Sequence, residues 1–393
     1  MKTYIIFTHI CGGIGGSYIY YSNKIRYMEE HGWNVVLFHN DSGPIYVNRL
    51  QRYENNQFPF ICTNPNLYTR WQRKHYIDIL VEVVGHKSDK FIIESEGDYF
   101  SFWGELLAER LQCKHIVIYL GETLPRCICK NSKFFQFKHS RHELAGISKE
   151  TITRLFSPYF PITIKNAIAL KCSCSNSIED IESNLLEKIP KGDLYIGHIG
   201  RLEKSGIKVI IHAIKEFSKK VNKMKISFVV FGGSRNKDLY DDLCHEFDEY
   251  SNVSIYITGY IYPLPLKVVK SMDLFISAQG SAKATACLSI PTICLSDTNE
   301  VRGIYDCERQ SFIHLADKIE ACIDIYLSNP GIYEVPSINI SDIWNNIKHN
   351  YDEHIVFINQ SCTKQEYASR WTYANINIIL KFKIFLKYIF HIQ

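Results

Sequence analysis

Short apolar runs rich in β-branched residues recur along the first half of the chain, at 3–8, 34–38, 91–93 and 115–120. Between them lie longer segments, 17–31, 67–84 and 103–112, in which apolar positions return every three to four residues. Continuous apolar runs of strand length predict strands covered on both faces, and their alternation with helical patterns predicts a parallel sheet. A second series begins after Pro190, with strands expected at 194–198, 226–231, 253–257, 273–277 and 291–295 and helices at 206–221, 236–249, 264–271 and 281–288. The pattern predicts two doubly wound α/β domains in tandem. Pro158 and Pro161 interrupt helix near 157–168, which places the domains at 1–165 and 166–355 and leaves 356–393 as a C-terminal crossover. Such sheets bind ligands at the carboxyl ends of their strands, so two facing domains make a cleft between them.

The strand ends carry the chemistry. The first is followed by Cys11-Gly12-Gly13-Ile14-Gly15-Gly16-Ser17 and then a helix, where glycines let backbone approach a ligand at a helix N-terminus. The spacing is not GxGxxG, and no acidic residue closes the second strand, so a nicotinamide enzyme is disfavoured. In the second series, Gly200-Arg201-Leu-Glu-Lys204 puts two cations in a glycine turn ahead of a helix, a cradle suited to a diphosphate. Phe231-Gly232-Gly233-Ser234 and Ile257-Thr-Gly259-Tyr260-Ile261 end two further strands, as for loops that read a flat base. Gln279-Gly280-Ser281 opens a helix and offers a second anion site.

Composition narrows the class. With 393 residues and 46% hydrophobic side chains, the chain can build two cores. Residues 1–165 carry 20 basic against 15 acidic side chains and the remainder 25 against 26, a mildly basic first half that suits an anionic partner or membrane surface. No nucleic-acid partner is expected. The 13 cysteines are scattered, and the closest pairs, Cys127/Cys129 and Cys172/Cys174, fit neither a redox CxxC nor a zinc knuckle. The first strand starts at once, without the apolar core and cleavage site of a secretory signal, so a cytoplasmic location is expected.

Taken in order, the glycine loop GGxGG, Pro161-Ile-Thr-Ile-Lys-Asn166-Ala-Ile168, Gly-Arg-Leu-x-Lys, Phe-Gly-Gly, Val-x-Ile-x-Ile-x-Gly-Tyr and Asp273-Leu-Phe-Ile-Ser277 with Ile290-Pro291-Thr292-Ile293 resemble the GT-B glycosyltransferases. The nearest likeness is to the family 4 type that builds bacterial capsule, exopolysaccharide and lipopolysaccharide, and it runs along nearly the whole chain. It implies a first domain that carries the acceptor, a second that binds a UDP- or GDP-sugar, and a C-terminal helix that returns to the first. Arg201 and Lys204 would hold the diphosphate, Tyr260 and Ile261 would line the base pocket, and Gly15, Gly16, Gly200, Gly233, Gln279, Gly280 and Ser281 would complete the donor site. The family lysine falls one place later, at Ser205. Its pair of glutamates seven residues apart has no counterpart before Pro291, where Gln279, Lys283 and Ala284 stand, so retention or inversion stays open. No DxD-like metal motif stands out, and neither metal nor cofactor is required.

An inverting transfer needs a base for the acceptor hydroxyl. The first-domain strand ends supply Glu94, Glu96, Asp98, Glu122 and His9. Of these Glu122 is favoured, with His9 and Asp98 as the other candidates. Two segments are candidates for contact with a lipid-linked acceptor or the inner face of the plasma membrane. One is Phe134-Phe135-Gln-Phe137-Lys138-His139-Ser-Arg141-His142, which reads somewhat more readily as a surface helix with a buried aromatic stripe; the other is the aromatic, lysine-bearing segment 376–393. The expectation is a transferase acting on a glycan acceptor. A nucleotide-sugar epimerase of the same architecture and a catalytically silent partner subunit are the alternatives.

Overall fold

The computed structural model describes residues 2–361 and 366–368, together with 382 and 386, except 11–12, 41–42, 86–87, 122–131, 173–177, 297, 307–308, 310 and 333–339. Two sheets organise it. The first holds five parallel strands, β1 (Lys2–Phe7), β2 (Trp33–Phe38), β3 (Lys90–Ser95), β4 (Lys114–Tyr119) and β5 (Leu144–Gly146), in the order β2-β1-β3-β4-β5. Alternate residues of β1 enter different cores. Tyr4 and Ile6 pack with the helix Gly16–Glu30, while Ile5 and Phe7 pack with the helices Arg70–Val84 and Asp98–Leu111. A strand buried on both faces reads as an unbroken apolar run, which is why β1 to β4 are visible in the sequence.

A two-stranded pair joins β6 (Ile178–Glu179), which precedes the second sheet in the chain, to β10 (Leu264–Pro265), which falls within that sheet's run of strands. The second sheet contains β7 (Leu194–Ile199), β8 (Ile226–Phe231), β9 (Val253–Ile257), β11 (Leu274–Ala278), β12 (Thr292–Leu295), β13 (Val301–Asp306) and β14 (Ser311–Ile313), in the order β14-β13-β12-β11-β7-β8-β9. Five of its strands are parallel, and β13 and β14 add an antiparallel edge. Strand order reverses between β1 and β3 in one sheet and between β7 and β11 in the other. At those switch points the crossovers leave on opposite faces and open a crevice at the carboxyl ends. The glycine loop follows β1, the Arg201 turn follows β7 and Gly280 follows β11, so topology alone directs the predicted turns to crevices.

The helix Ile340–Gln360 returns to the first sheet and packs on the helix Gly16–Glu30. Tyr27 donates to Asp352 at 2.5 Å, Tyr351 donates to the Tyr20 carbonyl at 3.0 Å, and the Arg26 guanidinium lies 3.9 Å above the Trp344 ring. Beyond it, the Ala368 amide donates to Glu105 at 2.7 Å. No described helix is long and apolar enough to cross a membrane. Of segment 376–393, only Phe382 and Leu386 are among the described residues.

Several expectations change. Glu94, read as a strand-end acid, is wholly buried: Lys24 reaches it at 2.9 Å, Tyr20 at 2.8 Å, and Tyr4 also donates to it. It neutralises a buried lysine and lines neither of the cavities between the sheets. Phe134 and Phe135 are core residues, and Lys138 lies among them bonded to Glu105 at 2.5 Å and Glu143 at 2.9 Å, so those side chains offer no lipid-facing surface. The helix expected at 103–112 starts at Asp98, because Phe100, Phe102 and Trp103 are buried on turns of a helix.

The buried histidines set an acid limit on stability. Burial is the main cause that lowers the pKa of His115, His198 and His354, and neighbouring Lys138 and Lys24 add to it for His115 and His354. His115 is lowered to about 4. Burial alone would raise Glu105, yet Lys138 and His115 outweigh it and hold the carboxyl down to about 2. In every case the unfolded chain takes up protons at a pH where the folded chain refuses them. The stabilisation is therefore complete above about 6.5, the ordinary histidine value, and declines as pH falls below it. The melting temperature should fall continuously from pH 7 to pH 4; a flat profile would contradict these assignments.

Candidate functional site

Gly200 ends β7, and its amide donates to the Phe231 carbonyl at 3.2 Å. The turn that follows is held against the loop after β8, because the Leu202 amide donates to Gly233 at 3.2 Å. This close approach depends on Gly232, where an added Cβ would stand 1.8 Å from the Gly200 carbonyl oxygen. Arg201 and Lys204 leave the turn exposed, just ahead of the helix Gly206–Lys220, whose Ser205 N-cap makes no side-chain cap bond. Ser205 accepts from Asn299 at 2.9 Å, so Lys204, rather than position 205, is the residue at the cleft.

A cavity of about 240 Å³ opens between the two sheets here. Its walls include Gly15, Gly16, Gly200, Arg201, Lys204, Tyr260, Ile261, Gly280 and Ser281, nine of the eleven residues anticipated for a donor. Gly233 stands behind this wall, with its Cβ position 3.1 Å from Tyr260. Gln279 opens the helix Gln279–Ala286, and its side chain is outside the described residues. A second cavity of about 580 Å³ continues from the first over the glycine loop and shares Gly15, Gly16, Arg201, Lys204 and Tyr260 with it.

Two helix N-termini meet this space. The helix Gly16–Glu30 begins at Gly15 with no side-chain cap and no acidic residue in its first turn, and Gln279–Ala286 likewise lacks both. Uncapped N–H groups on opposite walls, with Arg201 and Lys204 beside them, form a site for an anion. Apolar Ile14, Ile19, Ile199, Phe231 and Leu264 line the remainder. Among the described residues, no group of three or more His, Cys, Asp or Glu is placed to hold a metal.

The structure adds residues that the sequence reading missed. Glu203 lines the larger cavity with Arg235. Partial burial pushes the Glu203 carboxyl up, but the Ser234 hydroxyl at 2.7 Å and the Arg235 amide at 3.1 Å, helped by the Arg201 charge, hold it below the usual carboxylate range. Glu203 thus ties the turn after β7 to the loop after β8. Tyr260 is raised by burial and then by Glu203, while Arg235 and Arg201 pull the other way. Arg235 stands two residues after Gly233, a signal as readable as that of Lys204. Nothing in the local sequence marked Tyr46, whose ring lies 4.8 Å from Tyr260 across the cleft.

The candidate bases are less closely gathered. His9 lies two residues beyond β1, exposed, with its ring edge-on to Phe100 at 4.5 Å, and it does not line either cavity. Asp98 opens its helix, but its side chain lies outside the described residues, as does the whole of Glu122. Glu96 accepts from Thr8 at 2.7 Å.

No family model matches the chain, and no curated protein matches it. Among solved structures, a glycosyltransferase from Rickettsia africae is similar with a TM-score of 0.54 at 13% identity, over 100% of this chain and 99% of that one. A UDP-N-acetylglucosamine 2-epimerase is similar with a TM-score of 0.50 at 12% identity, over 94% of this chain and 99% of that one. Identities this low speak for architecture and leave activity aside. The strand orders, the facing crevices, the returning C-terminal helix and these likenesses together give the chain the GT-B fold.

Proposed function

We propose that the chain transfers a glycosyl group from a nucleotide diphosphate sugar to an acceptor hydroxyl. One observation carries the reading: residues as far apart in the chain as Gly15 and Ser281 line a single cavity whose polar side is built from Arg201, Lys204 and two uncapped helix N-termini. Departure of a nucleoside diphosphate places negative charge on the leaving group, and fixed cations and N–H dipoles stabilise it in the transition state. The epimerase likeness names UDP-N-acetylglucosamine, which makes a UDP-sugar the first donor to try. The acceptor is a glycan, lipid-linked in a surface-polysaccharide pathway, that enters from the first-sheet side, with the protein held at the inner membrane face by segment 376–393.

The base comes from the carboxyl edge of the first sheet, where Glu122, Asp98 and His9 stand in the chain. Of Glu122→Gln, Asp98→Asn and His9→Ala, one should lower turnover at least tenfold with nucleotide affinity within about threefold, as expected for loss of proton transfer alone. Nucleotide release assays with each variant check it, and three variants with native turnover would remove this edge from the mechanism. Epimerisation of the donor is the second reading, favoured by the likeness in fold and by the ionised Glu203 on the cavity wall. Incubation of the donor without acceptor separates the two: an epimerase returns an altered sugar still joined to the nucleoside diphosphate, whereas a transferase leaves the sugar unaltered or releases it slowly to water.

A further inference from the structure

One short loop of the second sheet is gripped by the first. The chain leaves β9 through Gly259, whose φ of +75° turns it back towards the cleft. Tyr260 then meets Tyr46 at 4.8 Å between ring centroids, and an added Cβ on Gly13 would stand 3.3 Å from its hydroxyl. Ile261 faces the cavity. Tyr262 plunges into the other layer: it is 4% exposed, belongs to the hydrophobic cluster of Ile19, Tyr20 and Ile25 on the helix Gly16–Glu30, and donates to Asn23 at 3.4 Å. The loop continues into β10, whose partner β6 carries Glu179, within 3.7 Å of Arg26 on the same helix.

Three consecutive residues thus touch the first layer, the cavity and the first layer again. Ile261 also packs on the second-layer cluster of Ile199, Phe231 and Leu264, and Gly233 backs Tyr260, so Tyr262 is the residue of the loop that ties this wall to the core of the first layer. A buried tyrosine is a large apolar surface to expose, so separating the layers must either drag the loop or strip Tyr262 from its cluster.

We propose that Tyr262 is a positioning residue for the nucleotide: it locks loop 259–263 to the helix Gly16–Glu30, so that nucleotide binding and closure of the cleft are one coupled equilibrium. The inference rests on the nucleotide-binding reading above. Its consequence follows from population arithmetic, because a variant that lowers the closed fraction raises the apparent dissociation constant in proportion, although every group that contacts the nucleotide is kept. Coupling is reciprocal, so nucleotide must in turn favour the closed form.

The test is calorimetric titration with UDP and with GDP, paired with small-angle scattering with and without nucleotide, on the full chain and on Tyr262→Ala, Tyr262→Phe and Tyr46→Ala. Tyr262→Ala should raise the nucleotide dissociation constant at least about tenfold and enlarge the radius of gyration of the free protein, with saturating nucleotide reversing the expansion. Tyr262→Phe keeps the ring and gives up the hydroxyl that bonds Asn23, so it should stay within about threefold. Tyr46→Ala changes a partly exposed residue and should weaken binding by about threefold or more; it decides the matter if Tyr262→Ala does not fold by circular dichroism. Folded alanine variants with native affinity and native scattering overturn the coupling alone. A full chain that binds neither UDP nor GDP overturns the functional reading, and this inference with it.

Discussion

Replacing Arg201 by alanine should cut kcat/KM for the nucleotide sugar by about 10²–10³, the size seen when one preorganised donor to a developing anion is lost. Arg201 and Lys204 line both cavities, beside the N-termini of the helices Gly16–Glu30 and Gln279–Ala286, which carry no side-chain cap. A guanidinium can make two parallel bonds to phosphate oxygens, and lysine supplies a point charge on a flexible stem. Lys204→Ala should therefore cost less than Arg201→Ala, and Arg201→Lys should recover only part of the loss. Both side chains are exposed, so none of the three substitutions should alter the urea midpoint. Steady-state kinetics on the donor measures the ranking; equal activities for wild type and Arg201→Ala would mean that the diphosphate lies elsewhere.

Gly232→Ala should have the largest effect on both fold and site. Its Cβ would lie 1.8 Å from the Gly200 carbonyl oxygen, and that neighbour is backbone rather than a side chain able to swing away. Relief requires β7 and β8 to separate just where the Gly200 amide and the Phe231 carbonyl, and the Leu202 amide and the Gly233 carbonyl, are bonded. Overpacking of this kind costs about 3 kcal/mol or more. The displaced segment carries Arg201 and Lys204, so nucleotide binding should be lost under conditions where the protein remains folded. Gly331→Ala is the control: its Cβ position is 3.7 Å from Asn329, an ordinary contact, and it lines neither cavity. Chemical denaturation and nucleotide titration of the pair distinguish a steric requirement from a general loss of flexibility.

The parts of this molecule that were readable from sequence share a physical cause. Strands β1 to β4, β7 to β9, β11 and β12 are covered on both faces, which writes an apolar run into the sequence. β5 is three residues long, and β13 and β14 form an antiparallel edge with Phe312 exposed, so neither leaves such a run. The donor turns were readable because glycine, cations and helix starts at strand ends are local features. Topology then brought them together at two switch points. Glu94 misled, because whether a strand-end carboxylate faces solvent or a buried lysine depends on Lys24, which lies 70 positions away in sequence. Tyr46 and Tyr262 gain their places only when the layers dock, and such contacts carry no periodicity or spacing, whereas Arg235 follows the Gly233 turn and was legible there. The lysine displaced from position 205 was a sharper case: the structure places Lys204 at the cavity and engages Ser205 with Asn299.

The most direct test of the central claim is a phosphorus NMR time course of purified protein with UDP-N-acetylglucosamine, other UDP-sugars and GDP-sugars, run beside Arg201→Ala. A glycosyltransferase acting through this cleft should convert the sugar diphosphate resonances of at least one donor into those of the free nucleoside diphosphate, with acceptor or slowly with water, and Arg201→Ala should abolish the conversion. Unchanged phosphorus spectra for every donor, accompanied by neither line broadening nor shift on adding protein, would contradict the assignment of this cleft to a nucleotide sugar.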